Sequence, residues 1–381
     1  MSTDRIREFL ARADPPTPCL VVDIDVVRAR YRELSGAFEG VALYYAVKAN
    51  PEPAVVRALA EAGSRFDVAS PAEVELCLAC GARPESLSYG NTIKKPADIA
   101  GAYAAGVRDY VFDAEEDLEN LAHHAPGSSV SVRLLVDGPA SVTPFGRKFG
   151  CEPDLALVLL ERAADLGLDA AGVAFHVGSQ QLDPLAWDAG IAAAAKIAAE
   201  VPVRRLNLGG GLGTTYRESA PDVAEYAAAI SGSLRRHFPA GAPELLMEPG
   251  RALVATAGLL RTEVVLTARK STVDPLRWVY LDVGRYNGLA ETENEAIAYR
   301  LEPVGEHTGD TGPVVLAGPT CDGDDVLYQR APYRLPLSLR GGDLLDILDA
   351  GAYTASYSSV AFNGIPPLRT YCLGTGVDDD G

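Results

Sequence analysis

The stretch LYYAVKAN, residues 43–50, ends an apolar run on Lys48 and is followed by a helix-opening proline. A lysine at the carboxyl end of a strand can direct its amine into a pocket. Seven further β-rich runs recur with helical segments between them, at 65–69, 87–91, 110–113, 131–135, 172–176, 206–209 and 245–248. Seven of the eight runs end on or just before a polar residue or glycine, and a (β/α)8 barrel builds its active site from such strand ends.

The segments between these runs have helical periodicity. Residues 53–63 and 71–82 each open with proline in the first turn and carry apolar residues at three- and four-residue spacing. Similar segments follow at 95–106, 114–124, 152–167, 184–201 and 223–238. A doubly wound open sheet would also alternate strand and helix, but eight units favour closure. The sequence therefore predicts an α/β fold, a (β/α)8 TIM-type barrel over residues 24–257.

The pattern changes after Gly250. Residues 252–280 and 313–372 are rich in Val, Leu, Thr and Tyr, and helical periodicity fades. This predicts a second, mainly β C-terminal domain made of residues 258–381 together with residues 1–23. The N-terminal segment 14–23 contains one strand, which we expect to pair with that domain.

Composition limits the function. A chain of 381 residues fits two domains, and a formal net charge of −18 argues against nucleic acid or an anionic membrane surface as a partner. No segment has signal-peptide or membrane-span character, so a cytoplasmic enzyme is expected. Six dispersed cysteines do not suit a disulfide framework, and the CxxC pair Cys77 and Cys80 falls within a helix, which favours core packing over a metal site. The acidic run 378–380 is expected to be a solvated tail.

Two glycine-containing turns follow neighbouring predicted strands. One is Gly209-Gly210-Gly211, and the other is Glu248-Pro249-Gly250-Arg251. The last strands of such a barrel commonly form a phosphate site, where glycines expose backbone N–H groups and an arginine adds a charged contact. A phosphate anchor together with Lys48 predicts pyridoxal phosphate, attached covalently through that lysine.

Two further side chains have a place beside such a cofactor. Glu248 could face the pyridine nitrogen and keep it protonated, or it could form a salt bridge with Arg251. His176 could stack on the ring or could be a hydrogen-bonded core histidine. Its setting, FHVGS at 175–179, puts Ser179 within reach of a phosphate and favours stacking.

The motifs YYAVKAN, FDVAS, FHVGS, GGG, EPGR, GPTCDGDD and GAYT occur in this order along nearly the whole chain. This set resembles the fold-type III pyridoxal-phosphate decarboxylases, the family of the ornithine, diaminopimelate and arginine decarboxylases. The resemblance implies that Lys48 holds the cofactor, His176 stacks on its ring, Glu248 pairs with its nitrogen and Cys321 returns a proton to Cα. It also implies a group of residues around the cofactor and its phosphate: Asp67, Glu73, Ser179, Gly209, Gly210, Gly211, Gly250, Arg251 and Tyr353.

The resemblance further implies a homodimer with shared active sites, in which Cys321, Asp322 and Glu295 complete the site of the partner. The motif GPTCDGDD at 318–325 is similar to the ornithine decarboxylase version, whereas diaminopimelate decarboxylases carry Cys-Glu-Ser here. The expected substrate is therefore a basic L-amino acid, ornithine or lysine. The candidate substrate-binding residues are Asp322, Glu295, Tyr286 and Phe362.

Two departures from the family pattern leave the substrate open. Glu295 stands where the ornithine decarboxylases have Asp, and one extra methylene changes selectivity by only about 1–3 kcal/mol. The segment from Val142 to Lys148 does not cleanly match the family's arginine, for which Arg147 is the nearest equivalent. An arginine-like substrate, a modified or carrier-bound amino acid, and a catalytically silent regulatory relative all stay open as alternatives. An amino-acid racemase is disfavoured by the GPTCDG motif.

Overall fold

The computed structural model describes residues 2–136, 138 and 141–377, and the acidic run 378–380 lies outside them. The strands are β1 Cys19–Asp23, β2 Val41–Ala46, β3 Arg65–Val68, β4 Leu87–Tyr89, β5 Asp109–Phe112, β6 Ser129–Arg133, β7 Ser141–Thr143, β8 Asp169–Ala174, β9 Ser179–Gln181, β10 Arg205–Asn207, β11 Glu244–Met247, β12 Gly258–Ala268, β13 Arg277–Leu281, β14 Arg300–Pro303, β15 Thr311–Ala317, β16 Val326–Leu327, β17 Tyr333–Pro336, β18 Leu344–Leu348 and β19 Arg369–Leu373.

The helices are α1 Ser2–Ala13, α2 Ile24–Ala37, α3 Pro53–Glu61, α4 Pro71–Ala79, α5 Pro96–Ala104, α6 Glu115–His124, α7 Pro153–Asp165, α8 Trp187–Ala198, α9 Val223–His237 and α10 Arg251–Val254. Short 3-10 turns lie at Val47–Ala49, Pro84–Ser86, Pro184–Ala186, Ala255–Ala257, Ala290–Glu295, Ala355–Tyr357 and Phe362–Gly364. No helix among the described residues has the length and apolarity that crossing a membrane requires.

The first compact unit, Arg28–Thr214 with Ala220–Leu253, contains a closed barrel. Within the described residues its strands follow the order β10, β11, β2, β3, β4, β5, β6 and β8, and neighbouring strands are parallel. These are the eight runs predicted from the sequence, so the predicted barrel is confirmed. Large side chains with no exposed surface, among them Tyr45, Phe66 and Tyr110, fill its core.

The barrel helices begin where the sequence places proline or a capping residue. Proline occupies the first turn of α3, α4, α5 and α7, where its missing N–H costs no hydrogen bond. Helix α4 also has an N-cap, in which Ser70 Oγ accepts the N–H of Glu73, and Glu73 Oε2 accepts the N–H of Ala69 at 2.6 Å. Glu73 therefore fixes the turn that follows β3. Cys77 within this helix and Cys80 at its C-cap are both buried.

The second unit contains the residues up to Val27, the short segment Thr215–Ser219 and the chain from Val254 onward. Among the described residues it forms a nine-stranded sheet around the path β14, β18, β12, β13, β15 and β16. The predicted N-terminal strand is confirmed, because β1 pairs antiparallel with β12 and parallel with β19. Helix α1, which we did not predict, packs Ile6 and Leu10 against this sheet.

Candidate active site

Lys48 lies in the 3-10 turn directly after β2, at the carboxyl end of the barrel. Its Nζ atom lies 3.0 Å from Oδ2 of Asp67, which is the second-last residue of β3 and is only 4% exposed. Asp67 packs directly on Gly90, where an added Cβ would lie 2.1 Å from Oδ1. The structure therefore presents the amine of Lys48 at the mouth of the barrel against a carboxylate that has little freedom to move.

Glu248 follows β11 and is held by Asn207 at the end of the neighbouring strand β10. Asn207 Nδ2 donates to Glu248 Oε1 at 2.6 Å, while Asn207 Oδ1 accepts the N–H of Gly209 at 2.9 Å. Burial, followed by the nearby charge of Asp67, raises the pKa of Glu248 to about 7. A cation beside this carboxylate would favour its ionised form, and a protonated pyridine nitrogen is such a cation.

His176 follows β8, and its Nδ1 accepts the N–H of Gly178 at 3.0 Å. This bond fixes the ring orientation and leaves the ring proton on Nε2. Burial, with further contributions from Arg133 and Lys48, holds the pKa of His176 well below its usual range. A neutral, fixed imidazole suits stacking on an aromatic ring. The edge of Phe145 covers one side of it, with ring centroids 4.6 Å apart.

The turn Gly209 to Gly211 lies against the backbone of two neighbouring loops. A Cβ atom added at Gly209 would lie 2.2 Å from the Phe175 carbonyl oxygen, one at Gly210 would lie 2.4 Å from the Glu248 carbonyl oxygen, and one at Gly211 would lie 2.5 Å from the Gly178 carbonyl oxygen. Only glycine fits such a close approach, and φ is positive at Gly209 and Gly211.

The side chains of Arg251 and Ser179 are in contact within the barrel unit. Arg251 opens α10 directly after Gly250, is 4% exposed, and donates from Nη2 to Ser179 Oγ at 3.2 Å. Together with the glycine turn they supply a guanidinium, a hydroxyl and accessible backbone, the donor set that phosphate recognition uses. The barrel residues therefore fit pyridoxal phosphate at every part of the cofactor: aldehyde, ring face, ring nitrogen and phosphate.

A second group of predicted residues comes together in the second compact unit, which we call the β-rich unit. The ring of Tyr286 lies 4.9 Å from that of Phe362, and desolvation together with the neighbouring Asp322 raises the pKa of Tyr286. Cys321 lies in the same region, where its N–H donates to Oδ1 of Asn363 at 3.0 Å. All six cysteines are within the described residues, and Cys321 is the exposed one.

Three other predicted residues have different surroundings. Glu295 accepts the backbone N–H groups of Arg330 and Ala331, at 2.5 and 3.1 Å, so its described contacts are with that loop. Tyr353 has a left-handed backbone conformation, with its ring 5.8 Å from that of Tyr357. Arg147 is exposed and pairs with Glu152 on the surface. The ligand roles assigned to Glu295 and Tyr353 remain predictions.

Several residues around these groups were not predicted from the sequence. Asn207 and Arg133 both end barrel strands as polar residues, a signal that we used for Lys48 and could have used again. The guanidinium of Arg133 lies 4.7 Å from the ring of Phe149 and 5.7 Å from that of Phe145. The segment from Val142 to Lys148 therefore contributes an aromatic side chain beside His176 and Arg133.

Comparison with known proteins agrees with this geometry. Residues 24–255 match the family model described as pyridoxal-dependent decarboxylase, pyridoxal binding domain. The chain is 33% identical to a lysine/ornithine decarboxylase of Selenomonas ruminantium, over 92% of this chain and 88% of that one. It is 31% identical to an ornithine decarboxylase of Panagrellus redivivus, over 93% of this chain and 85% of that one.

A solved structure of a lysine/ornithine decarboxylase from Vibrio vulnificus, complexed with cadaverine, matches with a TM-score of 0.86 at 31% identity, over 97% of this chain and 98% of that one. The family model covers more than half of the chain, and its residues include the lysine, the glutamate, the histidine and the glycine turn described above. The chain belongs to the pyridoxal-dependent decarboxylase family, and its cofactor is pyridoxal phosphate.

Proposed function

We propose that the protein decarboxylates a basic L-amino acid, ornithine or lysine, to the corresponding diamine. The observation that carries the proposal is the complete set of cofactor-facing groups on the barrel, above all Lys48 with its amine 3.0 Å from Asp67. The identities to decarboxylases with ornithine or lysine in their names support the substrate class. A catalytically silent relative would have no need for this complete set.

Pyridoxal phosphate, when bound, supplies the conjugated ring that accepts the electron pair released as carbon dioxide leaves. Lys48 would hold the cofactor through its Nζ atom and would release it to the amine of the substrate. Glu248, ionised opposite the ring nitrogen, keeps that nitrogen protonated. His176, neutral and fixed by Gly178, would pack on the ring face.

The remaining residues anchor the phosphate and return a proton. The glycine turn, Ser179 and Arg251 bind the phosphate, and Tyr353 adds its hydroxyl. After carbon dioxide has left, the thiol of Cys321 gives its proton to Cα of the product. Asp322 and Glu295 are carboxylates that suit the distal amine of ornithine or lysine, which carries a positive charge.

The proposal includes a homodimer in which Cys321, Asp322 and Glu295 complete the partner's site. Support comes from the β-rich unit, where Cys321 and Asp322 are exposed together with the apolar side chains of Tyr357 and Val360, which are 51% and 81% exposed. Mixing inactive Lys48→Ala with inactive Cys321→Ala subunits should restore part of the activity, since some heterodimers regain one intact site. Failure to recover activity despite demonstrated subunit exchange would count against the shared site. We also propose a cytoplasmic location, which cell fractionation tests.

Two measurements test the function itself. The purified protein should absorb visible light, borohydride should remove that absorbance, and Lys48→Ala should abolish both the absorbance and turnover. Carbon dioxide release should be much faster from ornithine or lysine than from arginine or diaminopimelate when the four are assayed side by side. Turnover of diaminopimelate alone would overturn the substrate class, and a colourless active enzyme would overturn the mechanism.

A further inference from the structure

Asn363 forms hydrogen bonds with both the backbone and the side chain of Cys321, which lies 42 residues earlier in the sequence. Its Oδ1 accepts the backbone N–H of Cys321 at 3.0 Å, and its Nδ2 donates to the Cys321 sulfur at 3.2 Å. Asn363 lies in the 3-10 turn Phe362–Gly364 with φ +54°, a left-handed conformation that asparagine tolerates better than most residues. The turn thus directs one amide at one cysteine.

The orientation of this amide follows from the backbone. The N–H of Cys321 can only donate, so the amide atom facing it must be the oxygen, and the NH₂ group must therefore face the sulfur. The sulfur is then an acceptor in this contact. Its own proton points away from Asn363 and is available for transfer.

We propose that Asn363 is a positioning residue for proton transfer from Cys321, holding the sulfur in place and stabilising the thiolate that remains after the transfer. This inference rests on the proposed function, in which Cys321 protonates Cα. In that step the S–H bond breaks, its electron pair stays on sulfur, and the new C–H bond uses the electron pair left on Cα. An N–H donor aimed at sulfur favours the product side of this transfer, because a hydrogen bond to an anion is stronger than one to a neutral thiol.

The other charged and titratable groups around this turn make such a donor useful. Asp322 and Asp324 lie in the same loop as Cys321 and bring two carboxylates into its neighbourhood. Asp322 Oδ1 accepts the N–H of Asp324 at 2.8 Å. The buried carboxylate of Asp325 accepts hydrogen bonds from the backbone N–H of Arg285 and from the backbone N–H and hydroxyl of Thr320. Tyr286 faces Asp322, with the cation of Arg285 nearby.

The rate of Cys321 alkylation by iodoacetamide in the holoenzyme measures this effect, because the thiolate is the nucleophile. Peptide mapping separates Cys321 from the other cysteines, which are less exposed. Asn363→Asp keeps the shape and the acceptor for the Cys321 N–H, but it removes the donor to sulfur and adds a negative charge. Asn363→Gly keeps the left-handed turn and removes both contacts.

At mildly alkaline pH we expect alkylation to slow about tenfold or more in Asn363→Asp and by a smaller factor in Asn363→Gly. Asn294→Asp is the matched control, since Asn294 has nearly the same φ, +53°, in the same unit. Its alkylation rate should match the parent protein. Thermal melting checks that each variant is folded, and the glycine variant keeps the test available should the aspartate variant unfold.

The outcomes separate this inference from the proposed function. Slower alkylation together with slower carbon dioxide release from ornithine or lysine supports both. Unchanged alkylation in both folded Asn363 variants overturns the positioning role and leaves the decarboxylase proposal intact. Slower alkylation with an unchanged rate of Cα protonation in a single turnover shows that Cys321 is not the proton donor, which overturns that part of the proposed function and with it the role of Asn363.

Discussion

Replacing Asn207 with leucine tests how the barrel controls the charge of Glu248. Leucine has a similar volume but makes no hydrogen bond. The substitution removes the 2.6 Å bond from Nδ2 to Glu248 and the 2.9 Å bond from the Gly209 N–H to Oδ1. The first bond involves a carboxylate and contributes about 1.5–3 kcal/mol, while the second joins neutral groups and contributes about 0.5–1.5 kcal/mol.

The first loss changes the protonation of Glu248. The Asn207 donor stabilises the ionised carboxylate, so its removal should raise the pKa of Glu248, already about 7, by about 1–2. The cofactor-free variant would then hold a proton on Glu248 at neutral pH, and this proton must leave when the cofactor pairs with the carboxylate. Cofactor affinity should fall about 5- to 50-fold at neutral pH and much less near pH 9.

Titration of pyridoxal phosphate into cofactor-free protein, followed by visible absorbance, measures this difference at the two pH values. Asn91→Leu is the control. Asn91 in the same unit also exchanges hydrogen bonds with backbone groups, at 3.1 and 3.3 Å, but none with Glu248. A loss of affinity that is the same size at both pH values would falsify the charge argument and leave only a loosened glycine turn.

Three further results are expected. In cofactor-free protein the raised pKa of Glu248 stabilises the fold fully at pH values below about 4.5, the pKa in the unfolded chain, and this contribution is lost as the pH rises through about 7. The melting temperature should therefore fall over this pH range, and Glu248→Gln should reduce the fall. Equal slopes in the two proteins would contradict this. Lys94→Met should cost about 3–5 kcal/mol in urea unfolding, because it leaves the carboxylate of Asp117, now 2.6 Å from Lys94 Nζ, buried without its cation, whereas the double variant with Asp117→Leu should recover most of the loss; an additive double variant would argue against the pair. Glu295→Gln should raise KM for ornithine or lysine, with a lost charge-assisted contact worth about 1.5–3 kcal/mol, and leave cofactor absorbance unchanged; a lower melting temperature with unchanged KM would instead assign Glu295 to the loop at Arg330.

The barrel and its cofactor residues were predictable because each depends on a local pattern. A strand buried in a barrel leaves a polar residue only where the chain emerges, so Lys48, His176 and Glu248 mark strand ends whatever their neighbours are. The glycine turn is equally local, since the closeness of the Phe175 and Glu248 carbonyl oxygens excludes any side chain. Parallel pairing then brings these strand ends to the same edge.

The residues that sequence reasoning missed depend on contacts between distant segments. Asn363 reaches Cys321 only because two loops 42 residues apart meet and a turn adopts φ +54°. The segment Thr215–Ser219 joins the β-rich unit although it lies within the barrel part of the sequence, where Arg217 N–H donates to the Ala298 carbonyl oxygen at 2.9 Å. Neither contact is marked by a periodic pattern of residues in the sequence. Helix α1 is different, because Ile6 and Leu10 have helical spacing that could have predicted it.

Asn207 in the barrel unit and Asn363 in the β-rich unit are oriented in the same way. In each case a backbone N–H, from Gly209 or from Cys321, fixes the amide oxygen and so directs the NH₂ group at Glu248 or at the Cys321 sulfur, each of which is anionic at some stage of the proposed mechanism. A lysine or arginine in place of Asn207 would stabilise the anion more strongly, but in the proposed mechanism its charge would repel the protonated ring nitrogen that pairs with Glu248. A neutral donor with a fixed direction, such as Asn207, stabilises the carboxylate of Glu248. It leaves the negative charge of this carboxylate available to pair with the ring nitrogen.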